Sequence, residues 1–107
     1  MTKEVEKTET IEPNDYMVKF NKPYRFEGQE YTEIDLSGVT EAKTSTLIQA
    51  DKLFLSKGFV DALKEVNVQY CMIVASLTTE KPIEFFENLR ANEAIKIKNV
   101  ISGFLFQ

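Results

Sequence analysis

Glu33 and Asp35 are the residues whose type and spacing come closest to a catalytic pair. Side chains two apart on a strand point from the same face, and two carboxylates on one face can share the acid and base steps of glycoside hydrolysis. We favour a solvated sheet face, because exposed strand positions commonly carry charge. Glu84 and Glu87 have no calcium-loop spacing around them, so we expect them to face solvent on a short helix.

Other reactive residue types are scarce in this chain, which has no histidine and one cysteine, Cys71. The absence of histidine removes Ser–His and Cys–His nucleophile pairs and most catalytic zinc sites. A single cysteine allows no internal disulfide, and its apolar neighbours, Met72 to Val74, indicate an inert core thiol. The four glycines are isolated, so they form no phosphate-binding loop. We therefore predict a protein that is not an enzyme and uses no metal or cofactor.

The charge balance argues against nucleic acid as a partner. The net charge is −4, and no cluster of lysine or arginine offers the basic surface that phosphates require. The chain starts without the apolar stretch of a signal peptide, and its longest uncharged run, Val66 to Thr79, is too short to span a bilayer. We therefore expect a cytoplasmic protein with no membrane association.

The acidic residues are concentrated at the start of the chain. Residues 1–15 contain five acidic residues and two lysines, which gives a local charge of −3, and they offer almost nothing to bury. Such a segment cannot offset its own ordering entropy, so we expect a disordered acidic tail. The remaining residues, 16–107, are predicted to form a single α+β domain.

The first part of that domain is predicted to be an antiparallel hairpin or a small meander. Tyr16–Phe20 and Tyr24–Phe26 are β-type runs separated by a break at Asn21–Pro23, and Glu27–Gln29 supplies a turn. Alternation over Tyr31–Leu36 assigns one face to Thr32, Ile34 and Leu36, and the other face to Tyr31, Glu33 and Asp35.

The remainder is predicted to be a bundle of three to five helices. Thr40 is expected to cap the first, whose apolar face ends before Gly58. Phe59–Val66 is expected to form a short helix, because Val60, Leu63 and Val66 are three residues apart.

Three further segments complete the prediction. Val68–Leu77 fits a buried strand and a fully buried helix equally well, because a continuous apolar run has no informative period. Pro82 is expected to open a short helix, and Asn92 to cap the last helix. The last helix should bury one stripe, formed by Ala94, Ile97, Val100, Ile101, Phe104 and Leu105.

Four apolar residues are candidates for binding a partner protein. Phe85 and Phe86 are adjacent, so on a helix they point about 100° apart and do not easily enter one core; burial of both is the alternative. Ile95 and Phe106 share a second face of the last helix, joined along one line by Asn99 and Ser102. We favour a helix wedged between two elements as the explanation of that face, and a partner surface is the competing interpretation.

Turn residues and hydrophobic spacing over about Val18 to Phe106 resemble the tail assembly chaperones of tailed bacteriophages and prophages. The segments that carry the resemblance are Phe20–Tyr31, Ile34–Leu36, Gln69–Ser76, Lys81–Glu84 with Leu89, and Ala94–Leu105. The charged segment before them is not part of the pattern.

The resemblance implies a β-hairpin followed by helices, and it favours a helix over Val68–Leu77. It also implies a chaperone of the host bacterial cytoplasm that binds the tape measure protein and helps to recruit tail tube subunits. No active-site residue comes with the family. A structural or adaptor protein that remains in a phage-related complex is the alternative, and self-association stays open.

Overall fold

The structure is a computed structural model that describes residues 13–107. It has the predicted α+β architecture, in which an antiparallel hairpin precedes the helices. The strands are β1 (Met17–Phe26) and β2 (Gln29–Asp35), and the helices of the described part are α1 (Thr44–Ser56), α2 (Val68–Thr79), α3 (Ile83–Glu87) and α4 (Ala91–Leu105). The predicted tail, 1–15, lies outside the described residues except for its last three, which belong to a 3-10 turn at Pro13–Tyr16.

The hairpin turns at Glu27 and Gly28, as predicted. Phe26 pairs with Gln29, so the loop contains two residues, and both have positive φ, 51° and 81°. This backbone matches the right-handed twist of the two strands, and glycine adopts it without steric cost.

A bulge in β1 changes which residues of β2 face the core. Lys19 pairs with Glu33 and Tyr24 with Tyr31, so the four residues between Lys19 and Tyr24 lie opposite Thr32 alone. β1 has three extra residues over this stretch, an odd number that reverses the alternation, and the face assignment predicted for Tyr31 and Thr32 is therefore wrong. Tyr31 packs against the core, with its ring centroid 5.0 Å from that of Phe85, and Thr32 is exposed.

Helix α2 forms the centre of the molecule. Its six consecutive residues Tyr70–Ala75 are all buried, and it contacts α1, α3, α4 and a 3-10 turn at Ser37–Glu41. Asn67 begins the helix, where its side chain accepts a hydrogen bond of 3.0 Å from the Tyr70 N–H. The helix implied by the resemblance is confirmed, and the strand alternative is wrong.

The 3-10 turn that follows β2 approaches α2 closely at Gly38. A Cβ at this position would lie 2.4 Å from the backbone oxygen of Thr78, near the last turn of α2. No side chain fits that gap, so glycine here lets the hairpin end against the helix.

The structure differs from the prediction at the start of two helices and in one segment that was expected to be helical. Lys43 rather than Thr40 precedes α1, and its backbone N–H donates to Oγ1 of Thr46. The short helix predicted over Phe59–Val66 is wrong, since only a 3-10 turn at Lys64–Val66 forms there. Arg90 rather than Asn92 is the N-cap of α4. The predicted stripe of α4 is confirmed: Ile97 and Ile101 are fully buried, and its other members pack against the core.

Candidate functional site

The carboxylates of Glu33 and Asp35 lie on the outer side of β2, and both residues are exposed. They border an open groove of about 530 Å³ beside Thr78 and Lys81. Asp35 accepts a hydrogen bond of 2.9 Å from the backbone N–H of Ser37, and this bond holds the pKa of Asp35 below its ordinary value. A general acid working near neutral pH needs the opposite shift. Asp35 therefore stabilises the turn after β2.

The acidic residues on the outer side of α3 likewise face solvent. Glu84 and Glu87 are exposed, and Glu87 accepts a hydrogen bond of 3.2 Å from the Gln69 side chain. Within residues 13–107, no three acidic, cysteine or histidine side chains lie close enough together to hold a metal ion.

Phe85 and Phe86 are core residues, so their assignment as partner-binding candidates is wrong. Each is 1% exposed. The Phe85 ring meets the hairpin, with centroids 5.1 Å from Tyr24 and 5.3 Å from Phe26, and the Tyr24 hydroxyl donates to the Phe85 carbonyl oxygen. Helix α3 is enclosed between the hairpin and α2, and two directions about 100° apart therefore both lead into protein.

Ile95 and Phe106 are accessible on α4, with exposed fractions of 43% and 62%. The line expected to join them is interrupted, because Asn99 is exposed but Ser102 is buried. Gly103 has open space where a side chain would stand, so no backbone of the described residues approaches it closely there. The two apolar residues are thus separate exposed positions, and partner binding by them stays a prediction.

Most of the exposed large hydrophobic residues of the described chain lie on α1 and in the connection from α1 to α2. Of the ten large hydrophobic residues that are exposed in the described chain, eight fall within residues 48–68. Val60 and Leu63 are the most open of them, at 85% and 61%. We call these eight residues the α1–α2 apolar surface: Ile48, Leu53, Leu55, Phe59, Val60, Leu63, Val66 and Val68.

Local contacts fix the backbone that carries this surface. Helix α1 stops at Gly58, whose φ is +89°, and the Phe59 N–H then donates to the Phe54 carbonyl oxygen at 3.2 Å. The Phe59 ring stacks on Phe54 with centroids 5.6 Å apart. The segment therefore stays attached to the core while most of its apolar side chains face outward.

Polar contacts hold the second half of the same connection. The Asp61 carboxylate accepts hydrogen bonds from the Leu63 N–H and the Asn67 side chain, and these bonds lower the pKa of Asp61. An ion pair between Lys64 and Asp51 joins the connection to α1. The apolar side chains are thus displayed by a backbone that has its own fixed conformation.

The sequence contains an indication of these exposed residues that the predicted short helix does not account for. The three-residue spacing of Val60, Leu63 and Val66 places them on one side of such a helix. Five large apolar residues in the ten from Phe59 to Val68 are more than a three-residue 3-10 turn can bury. This excess of large apolar residues directly follows the glycine at which α1 ends, and it indicates exposed apolar side chains.

One buried ionic cluster joins α4 to the bulge of β1. Glu93 is 2% exposed, and its Oε2 accepts a hydrogen bond of 2.6 Å from the Asn21 N–H. The Lys96 ammonium lies 3.0 Å from Glu93 Oε1, an ion pair rather than a well-aligned hydrogen bond, and donates to the Lys19 carbonyl oxygen and Asn21 Oδ1 at 2.8 Å. The cluster holds the hairpin on the bundle.

Cys71 is a buried core residue, as predicted. Burial raises its pKa to about 11, so the reactive thiolate is scarce at neutral pH. Within residues 13–107, both Cys71 and Glu93 are buried.

Among the described helices, none combines the length and the apolar character needed to cross a membrane. No protein-family model, no curated protein and no solved structure matches this chain.

Proposed function

We propose that the protein is a tail assembly chaperone of a tailed phage or prophage, working in the host bacterial cytoplasm. In this role it binds the tape measure protein and helps to recruit tail tube subunits, without catalysing a reaction. The observation that carries the proposal is the α1–α2 apolar surface, which holds eight of the ten exposed large hydrophobic residues of the described chain.

The physical argument for a chaperone is that an apolar client needs an apolar surface that stays accessible in the free protein. Large exposed apolar patches are rare on monomeric proteins and mark binding sites, and the exposed large hydrophobic residues of the described chain are concentrated in residues 48–68. The core does not need most of these side chains, because Phe85, Ile97 and Ile101 are fully enclosed while Val60 and Leu63 face outward. A net charge of −4 would keep a complex with an apolar client in solution.

Co-expression with the tape measure protein of the same phage or prophage tests the proposal. We expect the tape measure protein to move from the insoluble to the soluble fraction and to co-purify with this chain. A tape measure protein that aggregates equally with and without this chain would contradict the chaperone role. Mass spectrometry of mature virions separates the alternative, since an adaptor would remain in the particle and a chaperone would be absent.

A further inference from the structure

We propose that the free edge of β2 binds an extended segment of a partner protein, rich in lysine or arginine, as an added strand of the sheet. This site is separate from the α1–α2 apolar surface. The inference therefore goes beyond the proposed chaperone function and does not depend on it.

The backbone of β2 is hydrogen-bonded on one side only. The sheet of the described residues contains two strands, and β2 pairs with β1 alone. In an antiparallel pair, the N–H and C=O groups of alternate residues point away from the partner strand. Within residues 13–107, no backbone hydrogen bond joins β2 to an element other than β1. A further strand can therefore supply partners for the outward groups of this edge.

The outer edge of β1 is closed to such an addition. The Asn21 N–H donates to the Glu93 carboxylate, and the Lys19 carbonyl oxygen accepts from Lys96, so α4 already uses backbone groups of β1. Pro23 has no N–H, and the bulge breaks the regular spacing of the groups that remain. β2 contains no proline, glycine or lysine, which are the residues that commonly protect an edge strand or interrupt its pairing. A strand can therefore add at β2 and not at β1.

There is space for a strand beside β2. The open groove of about 530 Å³ borders β2 from Tyr31 to Asp35 and is also lined by Thr78 and Lys81. The Lys81 ammonium lies over the Tyr31 ring, 4.9 Å from its centroid, and supplies one positive charge against the two carboxylates of Glu33 and Asp35. This end of β2 thus borders open volume that remains acidic overall.

The charge of β2 indicates the chemistry of the added strand. Its seven residues include three acids, Glu30, Glu33 and Asp35, and no lysine or arginine. Arg25 pairs with Glu30 at 3.4 Å, whereas Glu33 and Asp35 form no ion pair with a described residue. Opposite charges on neighbouring strands stabilise their pairing, and like charges weaken it. An added strand with lysine or arginine at alternate positions therefore complements this edge.

The same charges argue against an occupant from this chain. Pairing of β2 with β2 of a second copy would bring acids against acids. β1 of a second copy is basic, but its backbone is engaged by α4. Residues 1–12 contain four acids and two lysines, so their net charge also has the wrong sign. A basic segment of another protein is the occupant that these observations favour.

A peptide titration of the full chain tests the proposal. The probe is a fluorescent peptide of about ten residues in which lysine and valine alternate. The comparison peptide has the same residues with every backbone nitrogen methylated, so it keeps the charge and donates no backbone hydrogen bond. We expect the unmodified peptide to bind at least about fivefold more tightly and to slow hydrogen exchange of β2 amides. Its affinity should fall at least about threefold between 50 and 300 mM salt.

Two matched double variants locate the contact. Glu30→Gln with Glu33→Gln removes two charges from β2 and should weaken binding at least about fivefold. Glu84→Gln with Glu87→Gln removes the same charge from the outer side of α3 and should leave the affinity unchanged. All four side chains are exposed, so both variants should keep the thermal midpoint of the parent.

The proposal is overturned if the unmodified peptide does not bind, or if the methylated peptide binds equally well, since the contact would then be electrostatic attraction without strand pairing. Equal weakening by the two double variants would also overturn it. A second copy as the occupant would appear without peptide, as β2 amides that become more protected from exchange when the protein concentration is raised, and this result would contradict the proposal as well.

Discussion

Glu93 is a charged side chain that folding removes almost entirely from water. Contacts with polar and charged groups of the protein replace the lost hydration of its carboxylate. The carboxylate receives the Asn21 N–H and the Lys96 ammonium, which also holds two oxygens of the β1 bulge. An acid in this position anchors one element to another. The need for this acid arises only where the bulge and α4 meet, so residue type and spacing alone do not indicate it.

Removing the acid should therefore destabilise the fold. In Glu93→Ala, the Asn21 N–H loses its acceptor and Lys96 its partner, and we expect a loss of about 2 kcal/mol in the free energy of unfolding. The value is moderate because the Lys96 side chain is 36% exposed and water can reach it. Urea unfolding measures the loss. Glu84→Ala, at an exposed acid, is the control and should change stability by less than about 0.5 kcal/mol.

The same carboxylate makes stability depend on pH. Burial raises the pKa of Glu93, but the Lys96 ammonium and the hydrogen bond from the Asn21 N–H outweigh it, and the net pKa is lowered. The contribution is therefore complete above the ordinary glutamate pKa of about 4.3 and is lost as pH falls through the lower folded value. The stability gap between the parent and Glu93→Gln should be largest at neutral pH and shrink toward pH 3. An equal gap at both pH values would contradict this assignment.

At the scale of elements, hydrophobic period and turn residues predicted the hairpin turn and the buried stripe of α4. The same reasoning failed where a tertiary contact decides the conformation. The bulge opposite Thr32 depends on the contact of β1 with α4, and the unwound connection after Gly58 depends on Asp61 and Lys64. Helix α2 had no readable period because it is covered on every side.

Substitutions at two glycines test how closely the secondary-structure elements pack against each other. A side chain at Gly38 would collide with the Thr78 carbonyl, so Gly38→Ala should separate the post-hairpin turn from α2 and cost about 1–3 kcal/mol. Gly103 lies within α4 and has open space around it, so Gly103→Ala should instead stabilise by about 0.5–1 kcal/mol. Thermal unfolding of the two variants should move in opposite directions. A shift of both in the same direction would refute the packing described for Gly38.

Two phenylalanines test the enclosure of α3. Phe85 is 1% exposed between the hairpin and α2, and Phe85→Ala should cost about 3–5 kcal/mol. Phe106 is 62% exposed at the end of α4, so Phe106→Ala should cost less than about 0.5 kcal/mol. Chemical denaturation measures both. Similar losses at the two positions would mean that α3 is not enclosed as described.

At the scale of the whole molecule, charge and apolar exposure are separated. Residues 51–68 have no net charge, so the rest of the chain carries the entire −4. The same stretch holds most of the exposed apolar side chains. Composition alone therefore favours a protein-binding role. The division of the surface is visible only in the structure, in which Phe85 and Phe86 are buried in the core and Val60 and Leu63 are exposed.

Cys71 should report the opening of the whole molecule. Its thiol is fully buried in α2, and burial raises its pKa to about 11. A disulfide reagent at pH 8 should react slowly with the native protein and faster as denaturant unfolds it, because exposure restores an ordinary thiol pKa. The labelling midpoint should coincide with the loss of helical signal. Rapid labelling without denaturant would show that α2 opens independently of the rest.

The tip of the hairpin shows a position at which this sequence is not optimised for stability. Glu27 adopts a left-handed backbone conformation that asparagine or glycine adopts at lower energetic cost, and its side chain is exposed. The loop is therefore tolerated rather than optimised, and the small conformational penalty at Glu27 is met by the strand pairing on either side. Among the described residues, this position is one where evolution or design can alter the chain with little consequence for the interior.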